Sequence, residues 1–257
     1  MRVDHKKIKK LISLTFISSL VVAFFVMLTN RNIGGYAFFL LADLYVNPLN
    51  RSDIASVFII MVLPICIYPV LCSTVSEDFT STCSLVMPRT RSRAKHYNDK
   101  FIRLIVMSLI TSLIHAACFC LFGVIYRYEL RYIMSICQHV IMDFLWILFF
   151  FLTVNVLSLY ISVERSGLLV TLIQLTGLII PGYLPEAAGR MMIRLSPTTQ
   201  GIYLLHSNIV RTYSDLGIFS ESVENFSLEY SIIYLSITVA VLYIWGRIRV
   251  QNMDLLR

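Results

Sequence analysis

The chain has 257 residues, 57% of them hydrophobic and 14% charged, with a mean hydropathy of +0.75. A soluble domain carries about 25% charged residues, so this composition excludes the soluble globular class and places the chain in a bilayer. The formal charge of +7 does not point to nucleic acid, because the Lys and Arg residues sit mostly at the ends of apolar runs, where they act as orientation signals.

The N-terminus holds Arg2, Lys6, Lys7, Lys9 and Lys10, and the apolar run 11–28 follows. That run exceeds the usual apolar core of a signal peptide, about 7–15 residues, and Thr29, Asn30 and Arg31 offer no small-residue cleavage site. A retained first span is expected. Residues 29–53 read as a polar connection around an apolar centre, either an interfacial helix or a continuation of the first span after a break. The second span is expected over 54–75, with Pro64 and Pro69 inside it. Each proline removes a backbone donor and predicts a bend. The bend is either a hinge beside a substrate path or one that membrane helices tolerate.

Ser76 to Lys100 is the longest hydrophilic run in the first two-thirds of the chain. A helix over 77–87 would place Phe79, Cys83, Val86 and Met87 on one face. Ser76 is positioned to cap it, and Glu77 and Asp78 fall in its first turn, where negative charge is favourable. Pro88 stops the helix, and Arg89, Arg91, Arg93, Lys95 and Lys100 follow as a basic strip. From the residues alone, two readings stand level. One is a helix lying on anionic lipid headgroups; the other is an element that docks another protein.

The third span is expected over 104–125 and contains His115. The fourth is expected over 144–162, with Asp143 as an interfacial cap at its start and Asn155 inside it. A short turn, 163–167, leads to a fifth span over 168–184, interrupted by Pro181-Gly182 and Pro185. A long polar stretch with apolar clusters precedes the sixth span, 230–246, which ends at Arg247 and Arg249. His115 is the one ionisable group expected near the middle of a span, and it reads as a neutral histidine hydrogen-bonded to a neighbouring helix. Asn155 and Gln174 read as interhelical hydrogen-bonding residues. No expected span carries an acidic pair or a row of charges, which argues against an ion-driven transporter.

These elements predict an all-α integral membrane protein with six transmembrane helices and one domain. Segments 1–10, 76–103, 163–167 and 247–257 carry 15 Lys and Arg residues in 54 positions, against 7 in 85 for the remaining connections. The basic set, with both termini, is therefore expected in the cytoplasm. Cys66, Cys72, Cys83, Cys118, Cys120 and Cys137 form no C-x-x-C pair, so neither a disulfide nor a metal is expected. No zinc-protease, nucleophile-elbow or phosphate-binding-loop motif is present, so the chain is expected to be non-catalytic, with no cofactor of its own.

Several of these features resemble the permease subunits of ABC exporters of the ABC-type-two superfamily. Glu77 follows the second span, Leu85, Pro88 and Arg91 match a recurring spacing, Lys100 opens the third span, and Leu195-Ser196-Pro197 lies in the long last connection. The chain departs from the pattern in its fairly long first connection and in Thr80, Ser81 and Thr82, where a glycine is usual. The resemblance implies a short amphipathic coupling helix between helices two and three, and re-entrant extracellular helices between five and six. It implies that Glu77, Asp78, Phe79, Cys83, Val86, Arg89, Arg91 and Lys100 dock an ATP-binding cassette subunit that holds ATP and Mg. It also implies a second permease copy or paralogue, and a substrate path along Pro64, Pro69, Gln174 and Gly177. The cargo it implies is amphiphilic or hydrophobic: an antimicrobial peptide, a drug or a lipid-like molecule. The rival expectations are a stand-alone membrane immunity or scaffold protein and a membrane-embedded lipid- or peptide-processing enzyme.

Overall fold

A computed structural model describes residues 5–29, 54–79, 92–125, 133–208 and 223–253. These residues are helical, with no β-strand among them beyond an isolated bridge between His206 and Val223. The helices are α1 (His5–Thr29), α2 (Ile54–Leu71), α3 (Arg93–Ile125), α4 (Ile133–Leu157), α5 (Val163–Ile179), α6 (Glu186–Leu195) and α7 (Leu228–Asn252). Among the described residues, five segments are long and apolar enough to cross a bilayer: α1, α3, α4, α5 with the 3-10 turn after it, and α7. The shorter α2 is also apolar. The architecture is that of a multi-pass membrane protein.

α4 is the core of the bundle and packs against α2, α3, α5 and α7. Its sequence runs Phe144 to Leu152 without a charge, and every residue from Trp146 to Leu152 is buried. A helix that is apolar all round is one that is covered all round. The peripheral helices instead present large apolar side chains outward: Phe16, Ile17 and Phe24 on α1, Leu109, Leu113 and Leu121 on α3, and Ile233, Ile237 and Val241 on α7. On a soluble protein such a surface would drive aggregation; here it is the face that meets lipid.

Five expected boundaries shift, each for a local reason. α2 ends at Leu71 rather than Val75, because Asn155 of α4 captures the chain there. Its Oδ1 accepts from Val75 N (2.8 Å) and Ser76 N (3.3 Å), and its Nδ2 donates to Leu71 O (2.9 Å). α4 stops at Leu157 and α5 starts at Val163, so the expected turn at 163–167 is helix. Ser162 supplies the cap, its hydroxyl accepting from Arg165 N. α3 and α4 start about a dozen residues earlier than expected, at Arg93 and Ile133, because polar residues at their N-terminal ends are helical too. The larger consequence falls on Asp143, which lies well inside α4 and is not an interfacial cap.

Beyond α5, the chain makes a 3-10 turn at Ile180–Tyr183, then α6, then a second 3-10 turn at Tyr203–Leu205. α6 buries Gly189 and Ile193 and exposes Met191 and Leu195. Tyr234 of α7 donates to Leu195 O, which ties α6 to that helix.

Candidate functional site

Three places could carry function: the end of the bundle where the chain leaves α2, the face between α2 and α5, and a polar seam between α1, α3 and α4.

At the first place, Glu77–Phe79 form a single 3-10 turn. Glu77 pairs with Lys7 of α1 at 2.9 Å, and both side chains stay partly exposed. Asp78 is held more tightly, by Lys100 at 2.5 Å and His96 at 2.8 Å, both from α3. Burial alone would raise the Asp78 carboxyl, but the hydrogen bonds from Lys100 and His96 outweigh it and hold the carboxyl below its usual range. Phe79 is buried against Tyr97 and the edge of His96. The sequence-predicted residues Glu77, Asp78, Phe79 and Lys100 are thus brought together as an anchor that fastens the start of the loop to α1 and α3. Nearby, Arg93 of α3 donates to Met253 O at the end of α7. Cys83, Val86, Arg89 and Arg91 of the expected docking segment lie outside the described residues.

At the second place, a groove of about 310 Å³ opens between α2 and α5, lined by Pro64, Ile65, Tyr68, Phe150, Gly167 and Leu168. α5 approaches α2 closely at Gly167, where a Cβ would come within 1.9 Å of the Tyr68 hydroxyl. That hydroxyl donates to Val163 O at 2.7 Å. Of the expected path residues, Pro64 lines this groove, whereas Pro69 sits on an exposed part of α2. Gln174 and Gly177 are buried on α5. A Cβ at Gly177 would meet Thr198 Oγ1 at 2.2 Å, so this glycine admits the segment after α6 rather than a ligand. The four residues do not share one cavity.

The third place was hidden by the misplaced start of α4. On α1, Thr15, Ser18, Ser19 and Val22 are buried, and on α3 so are Ser108, Thr111, Ser112 and His115. Both sets fall at i, i+3, i+4 and i+7, one helical face each. Small hydroxyl side chains at such spacing let membrane helices approach closely and bond across the contact. Ser19 Oγ meets His115 Nδ1 at 2.8 Å, which gives His115 the hydrogen bond to a neighbouring helix expected of it. α4 contributes its own inward row of Ser135, His139, Met142 and Trp146. His115, His139 and Asp143 line one small cavity of about 30 Å³ together with Val22, Leu63 and Tyr203. His115 is therefore not the sole ionisable group inside a span, as the sequence led us to expect. The spacing of His139 and Asp143, four apart on one helix, is a signal the sequence held.

At the opposite end of the bundle from Glu77, a polar network closes the segment between α6 and α7. His206 Nδ1 donates to Tyr203 O at 2.8 Å, and its Nε2 lies 2.7 Å from Ser231 Oγ. Ser231 also reaches Gln200 Oε1 at 2.6 Å, and Gln200 Nε2 donates to Arg194 O at 2.9 Å. His206 stacks on Phe226 with 4.4 Å between ring centroids. Burial pushes the His206 imidazole down to about 4. Among the described residues, no group of three His, Cys, Asp or Glu side chains is arranged to hold a metal ion. Comparison with protein-family models, with curated proteins and with solved structures finds no match to this chain.

Proposed function

We propose that the chain is the permease subunit of an ABC transporter, exporting an amphiphilic or hydrophobic molecule with energy from ATP hydrolysis on a separate subunit. The observation that carries this reading is the anchor at Glu77–Phe79. The loop that follows α2 begins with two ion-paired carboxylates and a buried phenylalanine, fixed to α1 and α3. Asn155 fixes the preceding residues to α4. A push on this loop would therefore be passed to three helices as a rigid-body displacement rather than absorbed locally.

The charge distribution of the sequence puts the anchored end in the cytoplasm, where a nucleotide-binding subunit would meet it. In this reading α2 is the second of six spans, both termini are cytoplasmic, and α6 dips into the outer leaflet. The groove between α2 and α5 has mainly apolar walls, Pro64 among them, with Glu164 and Thr171 as its polar members, a mixture that suits an amphiphilic cargo. A second copy of the chain, or a paralogue, would complete the path.

Co-purification tests the reading. Tagged chain, expressed in its native host, is expected to recover an ATP-binding cassette subunit together with ATPase activity that depends on both chains. Glu77→Lys is expected to uncouple hydrolysis from transport while membrane insertion stays intact. If both Glu77→Lys and Arg91→Glu transport normally, the loop is a membrane-surface helix and the docking role is wrong.

A further inference from the structure

We infer that Asp143, His139 and His115 form a membrane-embedded proton-binding site, built across α3 and α4 around a cavity large enough for a water molecule. The ligand is a proton carried by water, and the site is independent of any nucleotide-binding partner.

The argument begins with what surrounds the carboxyl. Asp143 is half-buried as a residue, but its Oδ2 is shut off from solvent and, among the described residues, has no hydrogen-bond partner; the same is true of His139 Nδ1. His139 is 7% exposed and His115 2% exposed. Among the described residues, no lysine or arginine lines the cavity. The polar groups nearest it have spent their protons elsewhere. The Tyr203 hydroxyl donates to Gln138 Oε1 at 2.8 Å, the Trp146 indole donates to Thr198 O at 3.1 Å, and the Ser112 hydroxyl donates to Val140 O at 2.8 Å while lying beside the Asp143 carboxyl. α2 and α1 contribute only Ile59, Ile60, Leu63 and Val22 to the lining. Ser19 of α1 enters through His115 alone, fixing one nitrogen of that ring.

An ionised carboxylate so placed would be a buried charge with no cation and no committed donor, the costliest arrangement a membrane interior offers. Binding one proton removes the charge and turns Oδ2 from an acceptor without a donor into a potential donor. The unpartnered ring nitrogen of His139 can then accept it, directly or through a water. A cavity of about 30 Å³ exceeds the ~10–15 Å³ a water needs, and it is lined by polar atoms on two sides. Proton count and charge balance without any co-reactant: one proton enters from water, the carboxylate becomes a neutral acid, and both imidazoles stay neutral. Because His115 stands on α3 and the other two on α4, movement between those helices would change the affinity for the proton. The titration belongs to the three groups jointly.

An infrared titration of the purified full-length chain in lipid nanodiscs, with isotope-labelled aspartate, tests this. A protonated carboxyl absorbs well apart from carboxylates, and the label shifts its band only if the group is an aspartic acid. Of the other aspartates described, Asp78 is ion-paired and Asp99 is exposed, so a band from the membrane interior is assigned by its loss in Asp143→Asn. We expect a labelled aspartic-acid band at neutral pH that disappears on alkalinisation and is absent from Asp143→Asn. In His139→Phe, where the acceptor for the protonated carboxyl is lost, the midpoint should fall by about one pH unit. If the unsubstituted protein shows no such band from mildly acid to alkaline pH, Asp143 is ionised throughout and the proposal falls. It falls equally if the band persists in Asp143→Asn. A midpoint unmoved in both His139→Phe and His115→Phe would reject the three-residue site. The unsubstituted protein alone can overturn the proposal, so a variant that fails to fold does not shield it. No step depends on a transport partner, so its failure and failure of the exporter reading are separable.

Discussion

Asn155 and Asp143 stand on the same helix, and both are polar residues inside an apolar sequence, yet their surroundings are opposite. Asn155 uses its whole hydrogen-bonding capacity: Nδ2 donates to Leu71 O and Phe151 O, and Oδ1 accepts from Val75 N and Ser76 N. It is a structural rivet that ends α2 and aims the chain toward Glu77. Asp143 keeps an oxygen without a partner beside a cavity. A polar group in a membrane interior that is fully satisfied holds the fold, and one that is left short is available for a ligand.

The contrast can be broken by substitution. Asn155→Leu strands the buried N–H groups of Val75 and Ser76, each costing about 1–3 kcal/mol, so a loss of roughly 2 kcal/mol or more is expected. Asn155→Asp should fare as badly, since a carboxylate cannot donate to Leu71 O or Phe151 O. Asp143→Asn should leave thermal stability in detergent unchanged or raise it. Equal losses at the two positions would erase the distinction.

A second expected effect sits at the other end of the bundle. His206 is folded in its neutral form and titrates near 4 rather than 6.5. Between those values the unfolded chain binds more protons than the folded one, so stability falls as pH drops through that window. The loss is about 1.4 kcal/mol per pH unit for this group, read as a falling melting temperature. His206→Gln should flatten part of that dependence.

Smaller effects are expected at the anchor. Asp78→Asn loses charge-assisted bonds to Lys100 and His96, for about 1–2 kcal/mol at neutral pH. Lys7→Met, which removes the more exposed partner of Glu77, should cost at most about 0.5 kcal/mol. That small value is useful. A transport defect in Glu77→Lys with near-normal melting would then report coupling rather than misfolding.

Much of the fold was legible because apolar runs near bilayer length leave little choice of structure. Phe144 to Leu152 announced the core helix, and the run from Tyr230 announced α7. What the sequence obscured were helix parts that are polar by composition. The stretch Arg93–Arg103 of α3 read as loop because it is charged, and Ile133–Asp143 of α4 read as connection because Gln138, His139 and Asp143 dilute its hydropathy. The second error concealed the polar seam, since an aspartate taken for a cap attracts no further question. At the anchor, the carboxylates Glu77 and Asp78 were singled out by the sequence. Their partners Lys7 and His96 were not, because pairings across distant helices leave no trace in local spacing.

The most direct test of the transporter account is hydrolysis by the assembled complex. The purified pair of this chain and its nucleotide-binding subunit, reconstituted in lipid, should hydrolyse ATP faster in the presence of transported cargo, and Glu77→Lys should abolish that stimulation while leaving basal hydrolysis and melting temperature in place. Failure of the two chains to associate, or cargo stimulation undiminished by Glu77→Lys, would contradict it.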